Sequence, residues 1–174
     1  CRVRQDLCHG AAPVGQIGVL ASHEDWRRRS GAPFPGNWVG QQPIDGVLRA
    51  CLDARRHCEV ILDHQLADRL RDLRVLVLPE CRHLAPAVRR RIRTWLRAGG
   101  RVLAVGPHAV RALGAGLPLR SAAAPSDGIR YLRSAGRAGG ADFTCLTGAW
   151  QPWRTGRGAR VLTRMYPSTD ASGP

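Results

Sequence analysis

Short aliphatic runs recur along the chain and are separated by amphipathic stretches. Residues 74–79 are almost continuously aliphatic, which is typical of a parallel strand that is buried on both faces. Residues 16–21, 57–62 and 101–106 have a similar character and length. The pattern therefore predicts four strands.

Three amphipathic helices are predicted. The first precedes the second strand, the next lies between the second and third strands, and the last lies between the third and fourth. One helix opens at Pro43, because the fixed φ of proline suits the first helical turn. A short helix is capped by Asp63, and a longer one opens at Pro86 and ends at the Gly99-Gly100 pair, which supplies a left-handed cap. Apolar residues recur at helical spacing on one face of each: Ile44, Val47, Leu48, Cys51 and Leu52 in the first, Leu66, Leu70 and Leu73 in the second, and Leu84, Val88, Ile92, Trp95 and Leu96 in the third.

The remaining stretches carry weaker patterns. Residues 22–42 are polar and rich in turn-forming residues, so they predict a long loop, which carries Trp26 and Trp38. After the fourth strand, residues 109–113 predict a short helix. Three apolar pieces joined by Gly-rich turns predict antiparallel strands further on: residues 129–132, 142–146 and 159–166.

The alternation of strand and helix predicts an α/β fold with a parallel sheet. We expect a flavodoxin-like three-layer αβα arrangement with a short antiparallel C-terminal addition. The domain is expected to span residues 16–166. Residues 1–15 are interpreted as a linker from an upstream part of a longer chain, and residues 167–174 as a tail or linker.

The composition does not alter the predicted fold. The 174 residues carry a formal charge of +14, which is typical of nucleic-acid binding when the cations are clustered. All 27 basic side chains are Arg and none is Lys, a bias that a GC-rich genome explains. The densest Arg run lies in the predicted helix after Pro86, with its apolar face inward and most of its Arg residues toward water. We therefore predict no nucleic-acid partner.

Membrane association is not predicted either. Every apolar run is shorter than the roughly 18 residues that cross a bilayer. The chain begins at Cys1 and shows no signal-peptide pattern, so we interpret it as a segment of a longer protein, with a cytoplasmic location favoured.

The cysteine and histidine pattern predicts no metal site and no cofactor. Cys51 falls on an apolar helix face and Cys58 at the start of a strand, where thiols act as small core hydrophobes. Cys81 and His83 could supply two metal ligands, but no second pair at zinc-site spacing lies nearby in the sequence.

Candidate site residues follow the ends of the predicted strands. In an open parallel sheet the ligand crevice lies beyond the carboxyl ends of the strands. Two carboxylates, Asp25 and Glu80, can reach toward it. Trp26 and Trp38 are interpreted as packing the long loop onto the sheet or onto a neighbouring subunit, with sugar stacking as the alternative. The crevice or interface candidates are His23, Trp26, Trp38, Glu80, His83 and His108.

Several of these elements occur in the order of a known family. They are the Ile17-Gly-Val-Leu20 strand with its tryptophan loop, the helix of residues 48–52, the strand of residues 73–79, the helix-Gly-Gly-strand of residues 92–103, and closing strands at residues 148–153 and 159–162. With them the chain resembles the beta-galactosidase trimerisation domain, a class I glutamine amidotransferase-like fold that follows the catalytic barrel in several glycoside hydrolases. The resemblance implies a non-catalytic, oligomer-forming domain of a beta-galactosidase-like glycoside hydrolase. It also implies two partners, an upstream barrel of the same chain and further copies of the chain.

The amidotransferase relatives place a nucleophilic Cys on a sharp turn between a strand and a helix. The corresponding place in this sequence holds Gly106 and Pro107, and neither can act as a nucleophile. His108 follows, but a base without a nucleophile cannot form an acyl-enzyme. Cys81 lies after the third strand instead, without the glycines of such a turn. We therefore expect no catalytic residue in this segment.

Two other functions remain open at this point. A stand-alone amidotransferase-like enzyme requires a reactive thiol. A small-ligand or carbohydrate-binding module requires an accessible crevice, and exposed tryptophans are typical of such surfaces.

Overall fold

The computed structural model describes residues 14–30, 42–114, 117–133 and 143–169, and Trp38 lies outside these ranges. The chain divides into two compact units, which meet in the sequence between Leu113 and Gly114.

The first unit alternates strands and helices. Its elements in chain order are β1 (Ile17–Ala21), α1 (His23–Arg29), α2 (Gln42–Asp53), β2 (Cys58–Leu62), α3 (Leu66–Arg69), β3 (Val75–Pro79), α4 (Pro86–Arg97), β4 (Val102–Val105) and α5 (Pro107–Leu113). The four predicted strands are all confirmed to within a residue at each end. The helix predicted at residues 109–113 begins two residues earlier, at Pro107.

The four strands form one parallel sheet in the order β2-β1-β3-β4. The chain leaves β1 toward β2 and then returns past β1 to β3, so the strand order reverses between β1 and β3. In α/β sheets of this kind the ligand crevice lies beyond the carboxyl ends of the strands at that reversal. This confirms the predicted α/β three-layer fold and places the loops after β1 and β3 side by side.

One face of the sheet holds the densest part of the core. Leu20, Ile61, Leu76 and Leu78 are almost completely buried there, because parallel register puts paired side chains on the same face. Gly18 lies on this face, and a Cβ there would stand 2.5 Å from Ile61 Cδ1 and 2.6 Å from Leu73 Cδ1. The glycine in β1 therefore lets the neighbouring apolar side chains close over the strand.

The opposite face is less completely covered. Val19 and Val77 are buried at its centre, but Val60 in β2 and Leu103 in β4 are 44% and 54% exposed. Helix α2 packs on β1 and β3 and begins one residue before the predicted Pro43, with no fully buried residue of its own. Its predicted core face is therefore only half-buried, and Leu52 is largely exposed.

Helix α1 lies inside the stretch that the sequence pattern predicted as loop, so that prediction is wrong for residues 23–29. Ser22 caps the helix by accepting a hydrogen bond from Asp25 N at 3.3 Å. Glu24 and Asp25 stand in the first turn and Arg27–Arg29 in the last, as the helix dipole favours. The sequence specifies this helix through its cap and its charged residues. A search for apolar residues at helical spacing does not detect such signals.

Helix α4 ends as predicted. Gly99 adopts a φ of +94° and donates to Leu96 O at 3.1 Å, while Gly100 N donates to Trp95 O at 2.9 Å. This pair of bonds is the Schellman arrangement, in which the left-handed glycine satisfies the last helical carbonyls.

The described residues of the second unit form antiparallel strands joined by loops. They are β5 (Leu119–Ser121), β6 (Ser126–Arg133), β7 (Phe143–Trp150), β8 (Trp153–Thr155) and β9 (Met165–Tyr166). β5 pairs with β8, and β7-β6-β9 form a three-stranded sheet. The two predicted strands at residues 129–132 and 142–146 are confirmed and extended. The third is wrong over most of its length, because residues 159–164 form no strand.

None of the helices in the described ranges is long and apolar enough to cross a bilayer.

Candidate site at the carboxyl ends of the parallel strands

The loops after the four parallel strands carry two polar clusters. The first, named the Asp25 cluster, joins Ser22, Asp25 and Asp63 to the loop after β3. The second, named the Glu80–His108 pair, joins the end of β3 to the first turn of α5.

The carboxylate of Asp25 is buried and accepts hydrogen bonds from two backbone amides. Its Oδ1 accepts from Arg82 N at 2.7 Å and from His83 N at 2.9 Å, and its Oδ2 pairs with Arg29 Nη1 at 3.2 Å. These amides follow β3, while Asp25 lies in the first turn of the helix that follows β1. Asp25 therefore links the loops after β1 and β3 at the reversal of strand order. Its carboxylate also accepts from two backbone amides, the kind of group that binds an anionic ligand.

Asp63 extends the same cluster to the end of β2. Its Oδ2 accepts from His23 N at 3.0 Å and lies 3.3 Å from Ser22 Oγ, whose hydroxyl also lies 3.2 Å from His83 O. The prediction that Asp63 caps helix α3 is wrong, because Gln65 holds the cap position. In the described ranges Asp63 Oδ1 is buried without a hydrogen-bond partner.

Glu80 is the first residue after β3 and has an unusual backbone. Its φ is +45°, in the left-handed region that residues with a Cβ rarely adopt. Its amide donates to Val105 O at 2.8 Å, which continues the pairing of β3 with β4. Its carboxylate Oε1 hydrogen-bonds to His108 Nδ1. Glu80 is thus held by one hydrogen bond from its backbone amide and one at its carboxylate. A strained backbone held in this way is typical of a functional or tightly packed position.

The turn from β4 into α5 is sharp and passes through Gly106, whose φ is +81°. A Cβ at position 106 would overlap the Glu80 carboxylate, which fills the space beside the turn. Within the described part of the chain, Glu80 Oε2 is buried there without a hydrogen-bond partner. The turn has the strand–turn–helix form that carries a nucleophile in acyl-transfer enzymes, and a side chain at position 106 would overlap the Glu80 carboxylate.

Cys81 follows Glu80 and is almost completely buried, with 2% of its surface exposed. Burial, and secondarily the negative charge of Asp25, raises the pKa of the Cys81 thiol to about 12. Its Sγ donates to His83 O at 3.2 Å. Since the thiolate is the nucleophilic form, Cys81 is an inert thiol at neutral pH.

We expect Cys81 to react with a maleimide at pH 7 at least a hundredfold more slowly than the exposed Cys145, since about one thiol in 10⁵ is ionised five pH units below its pKa. The rate for Cys81 should rise about tenfold per pH unit up to the pKa. Trypsin separates the two thiols into the peptides of residues 75–82 and 138–154, so mass spectrometry reads each rate. Labelling of Cys81 at the rate of Cys145 would contradict the conclusion that the Cys81 thiol is buried and inert.

The described candidate residues make three sets of contacts, and His23 takes part in two of them, through its backbone amide to Asp63 and through its ring. Glu80 and His108 are in contact, as described above. His83 reaches the Asp25 cluster through its backbone amide and carbonyl. His23 stacks on Trp26 with ring centroids 6.2 Å apart, and Trp26 is 44% exposed.

Sequence reasoning missed the parts played by Ser22 and Asp63 and the contact at Gly106. Ser22 was detectable, because Ser22 and Asp25 have the spacing of a helix cap. In the described ranges, no group of three or more His, Cys, Asp or Glu side chains is placed to bind a metal ion.

Comparison with protein-family models and with curated proteins finds no significant match. Solved structures of similar fold do match. A beta-galactosidase from Bacillus circulans sp. alkalophilus gives a TM-score of 0.67 at 13% identity over 94% of this chain and 26% of that chain. Alpha-L-fucosidase isoenzyme 2 from Paenibacillus thiaminolyticus gives 0.62 at 18% identity over 94% of this chain and 25% of that chain.

A third match is the exo-beta-1,4-mannosidase Op5Man5 from Opitutaceae bacterium strain TAV5, with a TM-score of 0.56 at 13% identity over 86% of this chain and 27% of that chain. At these identities the matches establish a shared fold. The chain spans about a quarter of the length of these solved structures.

Proposed function

We propose that this chain is a non-catalytic, oligomer-forming domain of a beta-galactosidase-like glycoside hydrolase. Its partners are a catalytic barrel upstream in the same protein and further copies of the chain. The observation that carries the non-catalytic part of the proposal is the contact at Gly106, where the Glu80 carboxylate fills the space that a side chain at this turn would need.

The fold likeness supports a role inside a larger enzyme. Nearly the whole chain matches about a quarter of a beta-galactosidase and of an alpha-L-fucosidase. A fold shared by enzymes that act on different sugars favours a part that accompanies the catalytic domain over a part that recognises one substrate.

The carboxylates at this edge of the sheet also support a non-catalytic role. Glycoside hydrolysis needs two carboxyl groups that are free to contact a sugar from opposite sides of the scissile bond. At the carboxyl ends of these strands, Asp25 holds backbone amides, Asp63 holds His23 N, and Glu80 holds His108. Each of these three carboxylates already has one oxygen bonded to its own chain, which argues against a role in that chemistry.

We expect the purified chain to show no hydrolysis of nitrophenyl β-galactoside, α-fucoside or β-mannoside above a no-protein blank. Light scattering across a range of concentrations on the same sample should give a mass above that of one chain, 18.9 kDa. The matched variants are Glu80→Gln, which removes the carboxylate, and His108→Gln, which removes the imidazole, each with little change in volume.

The outcomes separate the two parts of the proposal. Hydrolysis that is lost in Glu80→Gln would make the pair catalytic and overturn the non-catalytic role. A mass of one chain at every concentration would overturn the oligomer-forming role while leaving the absence of hydrolysis in place.

A further inference from the structure

We propose that Arg120 and Arg154 form a binding site for a phosphate group on the second unit. The two residues lie in strands β5 and β8. The inference is independent of the proposed function, and it rests on the register in which these two strands pair.

The register places the two arginines directly opposite each other in the antiparallel pair of β5 and β8. Backbone hydrogen bonds flank them on both sides, from Gly156 N to Pro118 O at 2.8 Å and from Ala122 N to Pro152 O at 3.0 Å. Hydrogen-bonded and non-hydrogen-bonded pairs alternate along an antiparallel ladder, so Arg120 and Arg154 form a hydrogen-bonded pair with Cα atoms about 5.5 Å apart. Both side chains therefore leave the same face of the pair.

The other residues of that face carry no charge. Positions two apart along a strand share a face, so the neighbours of the two arginines are small or cyclic residues: Pro118, Ala122, Pro152 and Gly156. Arg120 and Arg154 are both exposed. Like charges directly opposite each other destabilise an antiparallel pair unless a counter-charge balances them.

The second unit has few carboxylates to supply that counter-charge. Its described residues hold a single acidic residue, Asp127, which lies in β6 and so in the other sheet of the unit. The same ranges hold seven basic residues: Arg120, Arg130, Arg133, Arg154, Arg157, Arg160 and Arg164. An anion from solution can therefore supply the charge that the described part of this unit lacks.

The two strands are also fixed to each other beside the arginines. Gln151 is 5% exposed, and its Nε2 donates to Ser121 Oγ and, at 2.5 Å, to Ala123 O. Ser121 follows Arg120 in β5, and Gln151 precedes β8 by two positions. The backbone positions of both arginines are thus set before a ligand arrives, which lowers the entropic cost of binding.

The chemistry of two adjacent guanidinium groups selects the ligand. Each group presents a planar fork of N–H donors and one positive charge. A carboxylate, with two oxygens and one charge, matches one such fork. A phosphate group has more oxygens and carries close to two negative charges above pH 7, so it can accept from both forks and balance both charges. The group can come from the free ion or from a phosphate monoester on a sugar.

A titration followed by NMR tests the site on the full chain at pH 8. Sodium phosphate should shift the backbone amide resonances of Arg120 and Arg154 saturably, with a Kd on the order of 1 mM for an exposed site. Sodium chloride at the same ionic strength should not. Glucose 6-phosphate is titrated in parallel, with glucose as the neutral control. Tighter binding of the sugar phosphate than of inorganic phosphate would assign the monoester as the ligand, and equal binding would assign the free ion.

Glutamine variants test the two side chains. Arg120→Gln and Arg154→Gln should each weaken phosphate binding at least about tenfold, because one fork and one charge are lost. Arg120→Lys keeps the charge without the fork and should weaken binding about threefold. The matched control is Arg133→Gln, since Arg133 is an exposed strand residue opposite Phe143, and its Kd should match that of the parent chain.

Thermal unfolding gives a second readout with opposite signs in the two conditions. Without phosphate, Arg120→Gln should have the same Tm as the parent chain or a higher one, because the repulsion between like charges is removed. In about 50 mM phosphate the parent chain should gain about 5 °C more in Tm than Arg120→Gln does, since the ligand binds the folded state.

Two results would overturn the proposal. One is a response of the two amides to phosphate that equals their response to chloride, or that persists in both glutamine variants. The other is a Tm of Arg120→Gln well below that of the parent chain without phosphate, which would show that Arg120 already has a partner within the protein.

Discussion

Replacing Gly106 with alanine is expected to lower the free energy of unfolding by about 2–5 kcal/mol. Two effects add at this position. Alanine at a φ of +81° is strained, and its Cβ would overlap the Glu80 carboxylate. Glu80 would have to leave its place and give up the hydrogen bond to His108. Chemical denaturation followed by circular dichroism measures the change.

Gly99 is the matched control. Its φ of +94° is also left-handed, but a Cβ there would meet no atom within 4 Å. Gly99→Ala should therefore show only the backbone strain, about 1–2 kcal/mol. The excess for Gly106→Ala measures the contact with Glu80.

A double-mutant cycle isolates that contact further. In a Glu80→Ala background the space beside Gly106 is empty, so adding Gly106→Ala should cost about 1–3 kcal/mol less than it does in the parent chain. Equal costs in the two backgrounds would show that the Glu80 carboxylate does not fill the turn.

Replacing Asp25 with alanine is expected to lower the free energy of unfolding by about 2–4 kcal/mol. The change leaves the amides of Arg82 and His83 without their acceptor and removes the partner of Arg29. Asp25→Asn retains one acceptor oxygen and should lower the free energy of unfolding by less than Asp25→Ala does. Hydrogen exchange of the two amides should accelerate in Asp25→Ala, because they lose protection locally.

Glu24 provides the comparison within the same helical turn. Its carboxylate pairs with Arg27 and Arg28, whose side chains are exposed. Exposed ion pairs contribute little to stability, so Glu24→Ala should leave the unfolding midpoint nearly unchanged. A loss for Glu24→Ala as large as that for Asp25→Ala would show that the helix charges, and not the link between loops, stabilise this region.

Local patterns were sufficient for most of the parallel unit. The strand that ends at Pro79 and the helix that ends at the Gly99-Gly100 pair are specified by runs of neighbouring residues, because burial and capping act over a few positions. Helix α1 was missed because its signals are Ser22 and the charges that follow, without an apolar stripe. In the second unit the pattern at residues 159–166 failed, since a short strand forms only where a partner strand lies beside it.

The sequence alone also indicated that Asp25, Glu80 and His108 belong near one edge of the sheet, because each follows the carboxyl end of a strand and parallel strands share that edge. Which of them meet was decided only by the tertiary structure. Glu80 and His108 are 28 positions apart, and Asp25 and Arg82 are 57 apart. Their contacts depend on the strand order β2-β1-β3-β4 and on a left-handed turn at Glu80. Both arise from long-range packing, which no periodicity within a short stretch of sequence can encode.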